Sequence, residues 1–207
     1  MENRLVVGTL DTSDCLVREQ IESLLESIEF EDVETSVSEV SELEGGVNDL
    51  SAGKLDLLAV PVTETIGATD LISILGCQII GARTPRRPSM VLVSPDRLMY
   101  QPKSAIIVSD SELVRRQLLR ARPDLNTISL EEVEDEVGGP KLPEDEPERA
   151  RWMGDLLSEG KIDGFVISRT EYETSDQSER RHTLLPFPKD RGGPHFLPKP
   201  YSDLVAI

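Results

Sequence analysis

The residues of this chain that could do chemistry outright are two histidines, two cysteines and one dense run of arginines. His182 and His195 lie near the C-terminal end, with no cysteine or carboxylate at the spacing a tetrahedral zinc site uses, so no metal is expected. Cys15 and Cys77 are far apart and sit in apolar surroundings. Both are expected as buried free thiols rather than as a disulfide framework. No Gly-x-Gly-x-x-Gly or Walker pattern offers a phosphate cradle, and no Ser-His-Asp arrangement can be assembled. The run RTPRRP carries Arg83, Arg86 and Arg87. It reads first as ion pairing within an acidic surface and second as an anion site.

That surface sets limits on partners. The 39 acidic and 22 basic residues leave a formal charge of −17. Such a field repels nucleic-acid phosphates, anionic membranes and polyanionic substrates unless a local basic patch overrides it, so neither nucleic acid nor membrane is an expected partner. The only lysines are Lys54, Lys103, Lys141, Lys161, Lys189 and Lys199, and arginine outnumbers them. An acidic, lysine-poor surface suits a protein working in high salt, where ions screen self-repulsion; an ordinary acidic protein is the other reading. The N-terminal MENRLVVGTL opens a strand with no signal-peptide core, and no apolar run approaches the ~18–20 residues needed to span a bilayer. A cytoplasmic protein is expected.

The 207 residues make one large domain or two small ones. Leu5–Thr9 reads as a buried strand, followed by Thr12, Ser13 and Asp14 as N-cap oxygens of a helix with Leu16, Ile21, Leu24, Leu25 and Ile28 along one face. A strand over Val33–Val37, a helix or surface loop over Glu39–Gly53 and a buried parallel strand over Leu55–Val62 complete a β-α-β-x-β order, the start of a doubly wound sheet. A short helix near Asp70–Leu75 and strands over Cys77–Ala82 and Met90–Ser94 follow. Pro95–Pro102 reads as a linker. Beyond it come a strand at Ala105–Val108, a helix ELVRRQLLRAR capped from Ser109–Ser111 and stopped by Pro123, and a strand at Thr127–Leu130. Glu131–Glu148 reads mostly as loop, Arg149–Glu159 as a helix, Ile162–Ser168 as a strand, and the tail from Arg180 as partly irregular.

The two halves repeat one theme. GKLDLLAV parallels GKIDGFVI, with Gly53 and Gly160 each ending a helix or loop and feeding a strand that carries Asp56 or Asp163. The expected fold class is α/β, two lobes around a cleft: residues 1–98 plus 183–207 in lobe 1 and 102–171 in lobe 2. Ligands of open α/β sheets sit beyond the carboxyl ends of the strands. The expected cleft-facing points are Gly8–Asp14, Thr63–Thr65, Ser109–Ser111 and Ser168–Thr170.

SDSELVRRQLLRARPDL resembles the GTSSLRRQ…RPDL segment of hydroxymethylbilane synthase (porphobilinogen deaminase), with its Arg-Arg-Gln helix followed by Arg-Pro-Asp-Leu. LVVGTLDTSDCLVREQIESLL resembles that family's opening strand, loop and helix, and KLDLLAVPVTE, RTPRRPSMVLV and GKIDGFVISRTE fall in order over nearly the whole chain. The resemblance implies a type II periplasmic-binding-protein-like pair of lobes with a third domain. It also implies a transferase of porphyrin (haem) biosynthesis that joins porphobilinogen units on a dipyrromethane cofactor held by a cysteine. It places substrate- or cofactor-binding roles on Thr9, Ser111, Arg115 and Arg116, and a catalytic carboxylate on Glu64. Arginine forks suit carboxylate groups, but neighbouring helix positions point about 100° apart, so one of Arg115 and Arg116 at most reaches deep. A solvated helix face and an exposed loop carboxylate are the plain alternatives for these residues.

The chain departs from the family at several positions. The loop arginine is Leu10, the Lys-Asp pair falls on Thr63 and Glu64, and an arginine of the second lobe falls on Glu131. Neither Cys15 nor Cys77 stands where the cofactor cysteine belongs, so no cofactor is expected on this chain, and the third domain is expected to be absent or supplied by a separate polypeptide. Two readings follow. One is a divergent, incomplete hydroxymethylbilane synthase of tetrapyrrole biosynthesis, inactive alone or a pseudoenzyme. The other is a non-catalytic two-lobed ligand-binding or regulatory protein that takes a small molecule, neutral or cationic, in the cleft.

Overall fold

Apolar residues in this chain fall into short runs that can be buried on both faces, and these runs form two five-stranded sheets with helices packed on them. The computed structural model describes residues 3–28, 33–83, 90–175, 177–185, 189, 191, 195–198 and 200–207. The chain divides into two units, Met1–Arg87 with Tyr201–Ile207 and Pro88–Pro200.

In the first unit, β1 (Asn3–Thr9) runs parallel to β2 (Val33–Glu39) and β3 (Leu57–Pro61). β10 (Val205–Ala206) inserts antiparallel between β3 and β4 (Ala82–Arg83). The order is β2-β1-β3-β10-β4. The strand period of two sends alternate side chains to opposite faces. Leu58, Val60 and Ala206 meet Val47 of α2 (Leu43–Ser51) and Ile72 of α4 (Thr69–Ile74) on one face. Val7, Ala59 and Val205 meet Cys15 and the Val17 and Ile21 side chains of α1 (Val17–Glu26) on the other. α3 (Val62–Thr65) is a single turn directly after β3.

The second unit repeats the plan. β6 (Ile106–Val108) runs parallel to β7 (Asn126–Ile128) and β8 (Gly164–Ser168), while β5 (Met90–Val93) pairs antiparallel with β8 and with β9 (Arg181–Leu184). The order is β7-β6-β8-β5-β9. Val91, Val93, Val108, Phe165 and Ile167 pack on α7 (Glu146–Ser158). Met90, Leu92, Ile107 and Val166 pack on Val114 and Leu118 of α5 (Glu112–Ala121) and on Phe196. Each such fully buried side chain is worth roughly 1.5–3 kcal/mol relative to exposure, so these two faces dominate the unit's stability. α6 (Val133–Val137) is held by the fully buried Val133, and α8 (Arg169–Thr174) follows β8 directly.

Several expectations are corrected. Met90–Val93 belongs to the second sheet, because its four buried residues find their partners on β8 and β9, so Pro95–Pro102 lies inside the second unit and carries a short 3-10 turn at Leu98–Tyr100. The expected strand over Cys77–Ala82 shrinks to Ala82–Arg83, since the β10 edge beside it is only two residues long. Ile80 and Gly81 both donate backbone N–H groups to the Ile207 carbonyl instead. Glu131–Glu148 holds the short helix α6, and α7 begins three residues before the expected Arg149. Ile28 lies past the end of α1 and is 44% exposed. Cys15 is buried as expected, but Cys77 is only half-buried. Arg86 and Arg87 of the arginine run lie outside the described residues.

Candidate functional site

The carboxyl ends of the parallel strands are where such sheets present loops and helix starts, and each unit has its own set. In the first unit, Thr9 closes β1. It is buried, its Oγ1 donates to the Ser38 carbonyl at 3.5 Å, and its own carbonyl accepts from Val40 N–H at 2.9 Å. Thr9 is therefore part of the sheet's own bonding. Leu10 follows, buried with Val47 and Leu58, so the position of the loop arginine in hydroxymethylbilane synthases faces the core here. Thr12 and Cys15 bond each other's backbones in a tight turn. The expected caps at Thr12, Ser13 and Asp14 give way to Asp11, whose Oδ1 accepts from Arg18 N–H at 2.8 Å across the first turn of α1. Asp11 stands seven residues from its partner, outside any local capping signature.

After β3, Thr65 is buried and donates its hydroxyl to the Val62 carbonyl at 2.7 Å, while Thr63 and Glu64 are exposed. Arg18 bonds Glu22 at 2.9 Å and approaches Glu39 at 3.9 Å. Burial, with Asp203 second, pushes the Cys15 thiol up to about 12, and Gln20 Nε2 donates to its sulfur. Cys15 is thus an unreactive core thiol rather than a nucleophile.

In the second unit, Ser109 closes β6, buried, with its N–H on the Ile128 carbonyl. Arg115 turns back onto this loop. Its Nη1 donates to the carbonyls of Ser109 at 2.6 Å and Asp110 at 3.0 Å, and its N–H bonds the Ser111 carbonyl. Ser111 occupies the N-cap position of α5, half-buried, with no side-chain capping bond. Arg116 points away and pairs with Glu112 at 2.6 Å on the surface. The structure thus joins Ser111 to Arg115 but leaves Arg116 on a solvated face, as the about 100° step between neighbours requires. After β7, Glu132 accepts from Ser129 N–H at 2.7 Å, which with Arg115 nearby lowers its carboxyl below the ordinary range. After β8, Ser168 Oγ accepts from Glu171 N–H at 2.9 Å. Arg169, and then Arg181, hold Glu173 as a low-pKa carboxylate.

The guanidiniums at these loops are already engaged: Arg18 by Glu22, Arg115 by two carbonyls, Arg116 by Glu112 and Arg169 by Glu173. What faces outward is carboxylate: Glu64, next to the exposed Thr63, in the first unit, and Asp110 and Glu131 in the second. Carboxylates and hydroxyls accept hydrogen bonds and attract cations. His182 faces the Ser94 carbonyl at 3.2 Å, and the His195 backbone carbonyl accepts from Arg120, both within the second unit. Among the described residues, no cluster of His, Cys, Asp or Glu is arranged to hold a metal ion, and no helix is long and apolar enough to cross a membrane.

No known family model matches the sequence, and no curated protein matches it. Solved structures do. An ABC transporter protein from Parabacteroides distasonis shares 13% identity over 99% of this chain and 65% of its own, with a TM-score of 0.53. A substrate-binding domain of a molybdenum ABC transporter from Clostridium difficile shares 11% identity over 98% of this chain and 83% of its own, with a TM-score of 0.52. The chain therefore spans 65% of the length of the first. At these identities the matches establish the fold, a two-lobed α/β architecture of the periplasmic-binding-protein kind.

They also overturn the resemblance to hydroxymethylbilane synthase, and with it a place in porphyrin or haem biosynthesis and a transferase activity. The structural matches above are to an ABC transporter protein and to a substrate-binding domain, and no family model for that enzyme matches. The physical reason lies in the segment that carried the resemblance. ELVRRQLLRARPDL is an amphipathic helix with Val114, Gln117 and Leu118 buried, stopped at Arg122 before Pro123. Its arginines are used within the second unit.

Proposed function

We propose that this chain is a non-catalytic small-molecule-binding protein whose ligand is neutral or cationic and is held at the loops beyond the parallel strands. One observation carries the reading: the arginines of those loops are bonded within the chain, while Glu64, Asp110 and Glu131 face solvent. Recruiting Arg115 to an anion would strip the part-buried Ser109 carbonyl of its partner, at roughly 1–3 kcal/mol if left unsatisfied, while the exposed Asp110 carbonyl can turn to water. A cation meets carboxylates that need no rearrangement. The likeness to a substrate-binding domain supports a binding role, and the net charge of −17 supports the sign of the ligand.

Calorimetric titration of the full chain decides it. Spermidine, glycine betaine and neutral sugars form one arm; molybdate, sulfate and porphobilinogen form the other. Saturable binding is expected only in the first arm, weakened by Glu64→Gln where the loops of the first unit hold the ligand and by Asp110→Asn where those of the second do. Tight binding of any polyanion, with none in the first arm, sinks the proposal.

A further inference from the structure

The first unit contains a cavity of about 160 Å³. Leu43, Val47 and Leu50 of α2, Leu58 and Val60 of β3, and Ile72 of α4 form its walls. Ala206 and Ile207 close one side, and the segment carrying Cys77, Ile79 and Ile80 borders it. Ile79 and Ile80 are 50% and 64% exposed, so two apolar side chains stand at its exposed edge.

Of the polar groups at the wall, Thr65 and Cys77 are engaged, and Asp56 and Gln78 are exposed. Asp56 Oδ2 accepts from Val6 N–H at 2.7 Å, Thr65 Oγ1 donates to Val62 at 2.7 Å, and Cys77 Sγ lies 3.8 Å from the Leu75 carbonyl. Gln78 is exposed at the edge. A buried water needs about 2–4 polar partners to be held, and this interior offers none that is unspent. Apolar cavities of about 150 Å³ lined by Leu, Ile and Phe stay dry and take up benzene or xenon. A void of this kind also forfeits dispersion contacts that a guest would restore.

We infer that this cavity is a second binding site, for an uncharged apolar molecule of about benzene's size, entered between Ile79 and Ile80 and flanked by the Cys77 thiol. Of the strand-end side chains only Thr65 reaches it, so it stands or falls independently of the ligand at the loops.

Benzene is the probe, applied to the full chain. Two readouts are expected in the unsubstituted protein: a higher thermal midpoint, by preferential binding to the native state, and slower alkylation of Cys77 by iodoacetamide. Cys15, being buried, is the internal control. Val47→Leu and Ala206→Val add methyl groups to the cavity wall, and in either variant, if folded by circular dichroism, both effects shrink. The Cys77 readout needs no variant and holds even if neither folds. No change in midpoint or alkylation with benzene overturns the inference. So does an equal response in the filled variants. So, too, does Cys77 protection that rises with protein concentration alone, which marks a second copy of the chain as the occupant.

Discussion

Arg122 ties the end of α5 to the 3-10 turn before β6. Its Nη1 donates to the Leu98 carbonyl at 3.0 Å and its Nη2 to the Gln101 carbonyl at 3.1 Å, while Nε and Nη2 grip Asp124 at 2.8 and 2.7 Å. The side chain is only 14% exposed. The bond from Arg122 holds the Asp124 carboxyl down to about 2, from an ordinary 3.8. A depressed carboxylate stabilises the fold above its unfolded value, and that contribution is lost as pH falls through the folded value. Asp124 should therefore contribute fully above about pH 4 and progressively less down to about pH 2. Urea midpoints measured across that window should fall with pH in the native chain and fall less steeply in Asp124→Asn. An identical slope in both would contradict the assignment. Pro123 announced in sequence that the helix ends here. The arginine's role was illegible, because backbone carbonyls 21 and 24 residues away carry no signature of their own. The same holds for Arg115, whose partners are carbonyls of its own loop.

At the scale of elements, the repeat GKLDLLAV and GKIDGFVI was legible, and it builds one device twice. Gly53 and Gly160 end their helices with φ of +71° and +69°, a conformation that favours glycine. Three residues on, Asp56 and Asp163 each exchange two bonds with a neighbouring strand. Asp56 N–H donates to Val6 O and its Oδ2 accepts from Val6 N–H; Asp163 does the same with Ile106. The side chain thus satisfies the backbone donor at the point where the parallel pairing of β6 and β8 begins. Asp163→Ala leaves the Ile106 N–H unpaired and should cost about 1–3 kcal/mol; Asp163→Asn keeps an acceptor and should cost less. A Cβ at Gly160 meets nothing within 4 Å, so Gly160→Ala should cost only the left-handed strain, about 1–2 kcal/mol. Chemical denaturation of the three variants checks the ranking, and a neutral Asp163→Ala would refute the clamp. Helix α8 went unread in the sequence, although Ser168 and Glu171 stand at the S-x-x-E capping spacing. β10 was not legible. Two residues have no period, and only the open edge between β3 and β4 makes Val205–Ala206 a strand.

For the whole molecule, charge is the property most fully legible in sequence, and its consequence can be set against local pairing. Two effects of salt oppose each other. Exposed pairs such as Arg18–Glu22, Arg116–Glu112 and Arg169–Glu173 weaken as ions screen them, and exposed pairs contribute little to begin with. Against them stands an excess of 17 negative charges with no partner of opposite sign in the composition. Repulsion among these charges is relieved as the screening length shrinks from about 10 Å at 0.1 M to about 3 Å at 1 M salt. Relief of the excess outweighs loss of the pairs, because these pairs are exposed and individually weak while the repulsion sums over the whole surface. The thermal midpoint should therefore climb as NaCl rises from about 0.1 to 2 M, with most of the gain over the first molar, where the screening length changes most. KCl should match NaCl at equal ionic strength, since screening depends on charge and not on the ion. Sodium sulfate at that same ionic strength should exceed both, by the separate strengthening of apolar burial. A midpoint that stays flat or falls in NaCl would mean that the local pairs govern, and that the acidic surface serves its ligand rather than a saline surrounding.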